Sequence, residues 1–92
     1  MTIKQFAKRV QKGHEDSLRR VGMACKANMD NCITEIVPGR LYTKVNVGYS
    51  GKFMIDQKGD IFGIKAYGVI HRGHYYGNLS APSEAAFQGL WG

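Results

Sequence analysis

The sequence lacks any hydrophobic run long enough to form a signal peptide or a membrane-spanning helix, so we expect neither. It also lacks internal repeats, low-complexity segments and candidate linkers, which favours a single domain over residues 1–92. Only two cysteines are present, Cys25 and Cys32, and we interpret them as free thiols of a reducing cytosol rather than as a disulfide framework.

Acidic residues are scarce, with seven against 13 lysines and arginines, which gives a formal net charge of +6. Residues 1–26 hold seven of the basic residues and two of the acidic ones, so nearly all the excess lies in the N-terminal part. A charge of this sign attracts polyanions, which include nucleic acids, acidic protein surfaces and anionic lipids.

The N-terminal third has the spacing of an amphipathic helix. Thr2 is a candidate N-cap, and Gln5 stands in the capping-box position. The apolar residues at helical spacing are Ile3, Phe6, Ala7, Val10, Leu18, Val21, Cys25 and Met29. This pattern predicts helix over residues 2–12 and 15–29, either as two helices or as one that continues through Gly13.

Beyond residue 40 the apolar pattern changes to a period of two, which is typical of β-strands. We predict strands over residues 41–47, 53–56, 61–70 and 75–79, with residues 33–37 forming either a short strand or the tail of the helix. Short turns that contain glycine favour an antiparallel meander, and Pro82 suits the start of a short C-terminal helix. The predicted fold class is α+β, with an N-terminal helical segment packed on a small antiparallel sheet of about four strands.

The stretch IFGIKAYGVIHRGHYYGNL, residues 61–79, predicts two strands joined by a turn near residues 72–73. The alternate residues predicted to face the core are Phe62, Ile64, Ala66 and Ile70. Lys65, Tyr67 and His71 alternate with them and would face solvent or a partner. The alternative interpretation is an ordinary half-buried hairpin with a polar outer face.

Metal and catalytic chemistry find little support in the sequence. His71 and His74 form an HxxH pair that two cysteines could complete as zinc ligands. However, six residues separate Cys25 from Cys32, more than the usual spacing of zinc-binding pairs. Neither cysteine has a glycine-framed nucleophile motif, and no pair of carboxylates suits acid–base catalysis. We therefore expect no metal, no cofactor and no enzymatic activity.

Polyanion binding is the function that the residues favour, because tyrosines can stack on bases while lysines and arginines contact phosphates. The candidate contact residues of the sheet are Tyr42, Lys44, Lys65, Tyr67, His71, Arg72 and Tyr75. Arg19 and Arg20 on the basic helical segment are further candidates, as are Asn28 and Asn31 in a polar loop. The alternatives are a solvated helix face for the arginines and a simple helix-ending turn for the asparagines.

The length, the basic helical start and the 61–79 block together resemble the phage-encoded type I-F anti-CRISPR proteins. This resemblance implies a non-catalytic inhibitor in the cytoplasm of an infected bacterial host. It also implies that the protein binds the protein subunits and crRNA of the type I-F Csy surveillance complex and blocks recognition of target DNA, with no membrane and no small-molecule substrate involved. Two other hypotheses are a stand-alone basic nucleic-acid-binding protein and a phage structural or assembly protein whose hairpins pair edge to edge.

Overall fold

The computed structural model describes residues 1–48, 50–66 and 69–87, and the side chains of residues 50, 65–66 and 69–72 lie outside this description. The helices are α1 (Ile3–Arg20) and α2 (Lys26–Asp30), and the chain ends in a 3-10 turn, Glu84–Phe87. The strands are β1 (Thr34–Val37), β2 (Tyr42–Val47), β3 (Ser50–Asp56), β4 (Asp60–Ala66), β5 (Val69–Asn78) and β6 (Ala81–Pro82).

The strands pair in sequence order, each antiparallel to the next, and form one curled sheet. The predicted α+β class and antiparallel meander are therefore confirmed. The predicted number of about four strands is wrong, because the described residues form a sheet of six. One edge is β1, so the strand alternative for residues 33–37 is the one that forms. The other edge is β6, which was not predicted and is too short to give an alternating pattern in the sequence.

α1 begins at the capping box that the sequence predicts. The hydroxyl of Thr2 accepts a hydrogen bond from the Gln5 backbone N–H at 3.1 Å, and the Gln5 side chain accepts one from the Thr2 N–H at 2.9 Å. The helix then continues without a break through Gly13. The alternative of a single helix across this glycine is the one that forms.

The end of α1 lies earlier than the sequence pattern predicts. Gly22 adopts the left-handed conformation with φ +74°, and the N–H of Met23 donates to the carbonyl of Leu18 at 2.8 Å. These are the features of a Schellman motif, which ends a helix and satisfies its last carbonyl groups. The helix therefore ends at Arg20, so the predicted helix over residues 15–29 is wrong for residues 21–25, while residues 26–29 are helical as part of α2.

The apolar stripe that was predicted to continue past Leu18 does not form. Val21 and Cys25 are exposed, because the chain changes direction after α1 and begins the separate helix α2. Cys32 is the buried cysteine of the pair. The expectation that Cys25 belongs to the apolar stripe of the helix is therefore wrong.

The hydrophobic core lies between α1 and one face of the sheet. Its buried members are Phe6, Ala7, Val10, Val45, Val47, Phe53, Ile55, Ile61, Ala86 and Phe87. The ring of Phe53 meets two other rings edge to face, that of Phe6 at 5.2 Å and that of Tyr76 at 5.1 Å between centroids. Pairs of this kind stabilise a core by about 0.5–1.5 kcal/mol each beyond the area they bury. They attach α1 to the centre of the sheet.

The face of β4 that packs in the core is the opposite of the predicted one. Ile61 is buried and lies directly across from Ile55 of β3, and Gly63 is buried on the same face. Phe62 and Ile64 alternate with them and are only half-buried. The prediction that Phe62 and Ile64 face the core is therefore wrong. Apolar residues occupy both phases of this strand, so a period of two does not determine which phase is inside.

The chain reversal in the 61–79 block also lies elsewhere. β4 ends at Ala66 and β5 begins at Val69, so the chain turns between them, whereas residues 72–73 lie inside β5. The β4–β5 pairing shifts register in three places, and glycine in a strand is typical of such irregularities. The predicted inward orientation of Ala66 and Ile70 concerns side chains outside the described part of the chain.

The outward side of the edge strand β1 is partly closed by α1. The N–H of Thr34 donates to the side-chain oxygen of Gln11 at 3.1 Å. Alternate residues of a strand direct their N–H groups to the same side, so Ile36 is the other outward position of β1, which ends at Val37. Pro38 directly follows the strand and has no N–H to offer. One of the two outward donors of β1 is therefore occupied, and the residue after the strand cannot extend the row of donors.

Candidate polyanion-binding surfaces

The solvent-exposed side of α1 carries six of the 13 basic residues. They are Lys4, Lys8, Arg9, Lys12, Arg19 and Arg20. Two of them share one carboxylate, since Asp16 accepts hydrogen bonds from Lys12 Nζ at 2.8 Å and from Arg19 Nη1 at 3.1 Å. The hydrogen bond from Lys12 is the main reason that the pKa of Asp16 is lowered. Two cations meet one anion here, so the group keeps a net positive charge.

Arg9 and Arg20 have partners within the fold. The guanidinium of Arg9 bonds to Glu84 at 3.3 Å and lies over the ring of Phe87, 4.2 Å from its centroid. Arg20 donates from Nη2 to the hydroxyl of Ser17 at 3.3 Å. Arg9 therefore holds the C-terminal turn against α1, and it contributes less to the open charge of the helix than its exposure suggests.

Lys4 and Lys8 form the least compensated part of this surface. Both are exposed, and within the described residues neither makes an ion pair. They stand one helical turn apart, a rise of about 6 Å. Like charges at this spacing destabilise a helix by about 0.2–0.5 kcal/mol. An anion bound between the two ammonium groups would relieve this repulsion.

The second candidate surface is the sheet face opposite α1, here called the outer sheet face. Lys44, Met54, Phe62 and Tyr75 occupy adjacent positions across β2 to β5, and Tyr42 lies two residues from Lys44 on the same face. The rings of Phe62 and Tyr75 are 5.5 Å apart, and Tyr75 is 53% exposed. Met54 beside them is only 4% exposed, so this face has an apolar centre with tyrosines and a lysine around it.

One end of the outer sheet face is acidic. The hydroxyl of Tyr75 donates to Asp60 Oδ1 at 3.0 Å, and the Asn78 amide donates to the same oxygen at 3.1 Å. These bonds, that of Asn78 first, lower the pKa of Asp60, so the carboxylate is ionised at neutral pH. Tyr42 lies across from Asp56 on β3. Carboxylates beside both tyrosines disfavour a phosphate group at this end of the sheet.

The two surfaces lie on opposite sides of the sheet. The structure therefore does not bring Arg19 and Arg20 of α1 together with the tyrosines of the outer sheet face. Three other predicted contact residues lie in strands: Lys65 in β4, and His71 and Arg72 in β5. The side chains of these three residues are outside the described part of the structure. Tyr67 lies outside the described residues.

The predicted polar loop is the helix α2 and its end. Asn28 donates from its amide to the carbonyl of Met23 at 2.8 Å, which fixes the corner between α1 and α2. Asn31 is the C-cap residue of α2 and is exposed. The amide of Asn28 thus has a local structural role within α2, while Asn31 stays accessible to a partner.

The cysteines differ in their chemical environment. Cys32 is buried, its thiol lies 3.5 Å from the Asn28 carbonyl, and burial, followed by the charge of Glu15, raises its pKa. A buried thiol of raised pKa is a poor nucleophile. Cys25 is exposed and is the N-cap residue of α2. Within the described residues, no three His, Cys, Asp or Glu side chains stand close enough to hold a metal ion together.

His14 is a buried polar residue that the sequence reasoning missed. Its side chain is 3% exposed, and its Nε2 has no hydrogen-bond partner in the described part of the chain. Burial is the main cause that lowers its pKa, and the charge of Lys52 adds to the effect. His14 stands one helical turn after the buried Val10, and this spacing was the available signal.

The fold defines a class of protein in which one long helix packs on one face of a six-stranded antiparallel sheet. Comparison of the chain with protein families, curated proteins and solved structures finds no match. In the described part of the chain, neither helix combines the length and the apolar character that crossing a bilayer requires. The two surfaces described above are therefore the features of the molecule that indicate a function.

Proposed function

We propose that this protein is a non-catalytic inhibitor that binds the crRNA-guided type I-F Csy complex in the cytoplasm of an infected bacterium and blocks recognition of target DNA. The observation that carries the proposal is the open positive charge of α1. Lys4 and Lys8 lack acidic partners in the described residues, and Asp16 compensates Lys12 and Arg19 only in part. Such a surface suits a ribonucleoprotein, whose RNA phosphates are exposed beside protein.

The two surfaces have different expected roles in this proposal. Long-range attraction between α1 and RNA would raise the association rate and weaken with added salt. The outer sheet face, with Phe62, Met54 and Tyr75 beside two carboxylates, is better suited to a protein subunit, because buried aromatic residues dominate the affinity of protein interfaces. The partner would then contact both sides of the molecule.

The proposal is tested with purified Csy complex. The wild-type protein should be retained on immobilised complex at low salt, and it should suppress binding of labelled target DNA with a stoichiometric end point. Lys4→Glu with Lys8→Glu should weaken retention more than Lys26→Glu with Lys58→Glu, which reverses the same charge at exposed positions of α2 and the β3–β4 turn. Absence of retention at low salt, or inhibition far below stoichiometric amounts, would overturn the proposal.

A further inference from the structure

We infer that Lys4, Lys8 and Lys12, here called the lysine row, bind the phosphate backbone of a single-stranded nucleic acid. All three are exposed on one side of α1. This inference deepens the proposed function, because it names the chemical group that the open charge of α1 contacts. The inference depends on the surface of this chain alone, so it can be tested without knowing which assembly the protein binds.

The geometry of the lysine row fits one strand of backbone. Successive members stand four residues apart, so each rises about 6 Å along the helix from the one before, a step similar to that between phosphates of an extended strand. The row is one side chain wide, and a second strand would lie beside it rather than on it. Lysine ammonium groups act as flexible point charges, so the contact would be independent of base sequence.

The environment of the row favours its N-terminal end. Lys12 already donates to Asp16, whereas Lys4 and Lys8 lack acidic partners in the residues described. The capping box at Thr2 fixes the first turn of α1, so Lys4 stands on ordered backbone. The competing outer sheet face carries Asp56 and Asp60, which repel phosphate. The charge pattern thus assigns the phosphate contact to α1.

The test compares two variants that lose the same charge. Lys4→Gln with Lys8→Gln removes the uncompensated pair, and Lys26→Gln with Lys58→Gln removes two exposed lysines elsewhere. Binding of a labelled 12-nucleotide RNA of mixed sequence is measured by fluorescence anisotropy over a series of salt concentrations. We expect the first variant to bind about tenfold more weakly, with a log–log salt slope smaller by roughly 1.4, since each phosphate contact to a single strand contributes about 0.7.

The control variant should bind within about twofold of the wild type, because its lysines lie outside the row. Equal losses in both variants, or no loss in the first, would overturn the inference, as would tighter binding of the corresponding duplex. Thermal unfolding midpoints of the variants, expected to equal that of the wild type, show that the loss comes from the surface. If the midpoint of the first variant differs from that of the wild type, the conservative variant Lys4→Arg with Lys8→Arg is measured as well. This variant must bind RNA like the wild type if the loss of binding comes from the loss of charge.

The same variants separate this inference from the proposed function. If the wild type binds the RNA through the lysine row but is not retained by the Csy complex, the phosphate contact stands and the proposed function fails. If the complex retains the wild type and is inhibited by it, while free RNA binding is unchanged by the Lys4→Gln and Lys8→Gln substitutions, the proposed function stands and the inference fails.

Discussion

The backbone carbonyl of Phe87 lies against the α-carbon of Gly13, where the C-terminal turn crosses the middle of α1. A side chain at position 13 would occupy the space of this carbonyl group. The contact explains why a helix of 18 residues tolerates a glycine in its interior, where glycine usually destabilises. It also continues into the core, since the ring of Phe87 lies 5.5 Å from that of Phe6.

Replacing Gly13 should therefore destabilise the protein. In an open helix, Gly→Ala stabilises by up to about 1 kcal/mol, but here the added Cβ meets rigid backbone, and overpacking of this kind costs about 1–3 kcal/mol. We expect Gly13→Ala to lower the free energy of unfolding in urea. Lys8→Ala, on the exposed side of the same helix, should change it by less than about 0.5 kcal/mol. A Gly13→Ala variant more stable than the wild type would contradict the observed contact.

The stacking of Arg9 on Phe87 should outweigh the ion pair of Arg9 with Glu84. The ion pair is exposed, and such pairs are typically worth about 0–1 kcal/mol and are screened by salt. The cation–π contact contributes about 0.5–1 kcal/mol and depends less on salt. Double-mutant cycles measure both, with Arg9→Ala combined with Phe87→Leu or with Glu84→Gln. At 0.5 M salt we expect a measurable coupling energy between Arg9 and Phe87 but none between Arg9 and Glu84. A coupling energy that remains only between Arg9 and Glu84 would contradict this prediction.

His14 should make the stability depend on pH. Its pKa in the folded state is below the usual value of 6.5, so the unfolded chain takes up a proton more readily. The contribution of neutral, buried His14 to the free energy of unfolding is therefore fully present above about pH 6.5, and it declines as the pH falls towards the lowered pKa. His14→Leu should remove this part of the decline in urea unfolding between pH 7.5 and 5. An unchanged profile in His14→Leu would exclude His14 as its source.

Gln11 should stabilise the attachment of β1 to α1. Its side-chain oxygen accepts from the Thr34 N–H at 3.1 Å and from the Thr34 hydroxyl at 3.4 Å. Gln11→Ala leaves this part-buried N–H without its partner, which typically costs about 1–3 kcal/mol. Hydrogen exchange should show faster exchange at Thr34 in this variant. The substitution Gln5→Ala, at the exposed first turn, should leave the Thr34 amide unaffected while loosening the start of α1.

Local features of the sequence were the most predictable part of this fold. Thr2 and Gln5 determine the start of α1 through bonds three residues apart, so the capping box could be recognised. The end of α1 also had a local signal, because Gly22 comes one residue after a basic last turn. Val21 before this glycine and Cys25 after it kept the helical spacing of apolar residues, so the pattern alone did not indicate where the helix ends.

Features that depend on contacts between distant segments could not be predicted. Ile61 and Phe62 are both apolar, and only pairing with β3 determines that Ile61 lies inside. Likewise, no residue near Arg9 in the sequence indicates that its guanidinium pairs with Glu84, 75 residues away. The sequence alone therefore does not show that the charge of Arg9 is partly compensated within the fold. The candidate site shows the same limit: alternation placed Tyr42 and Lys44 on one face of the sheet, but the position of Tyr75 beside Phe62 depends on the register of β5 against β4.

The border of the sheet at β1 has a consequence for the protein at high concentration. A bare strand at the margin of a sheet recruits identical chains and seeds fibrils. Gln11 occupies one outward donor of β1, and Pro38, directly after the strand, has none to offer. Many copies could therefore bind at neighbouring positions of a large assembly without pairing into one continuous sheet through β1.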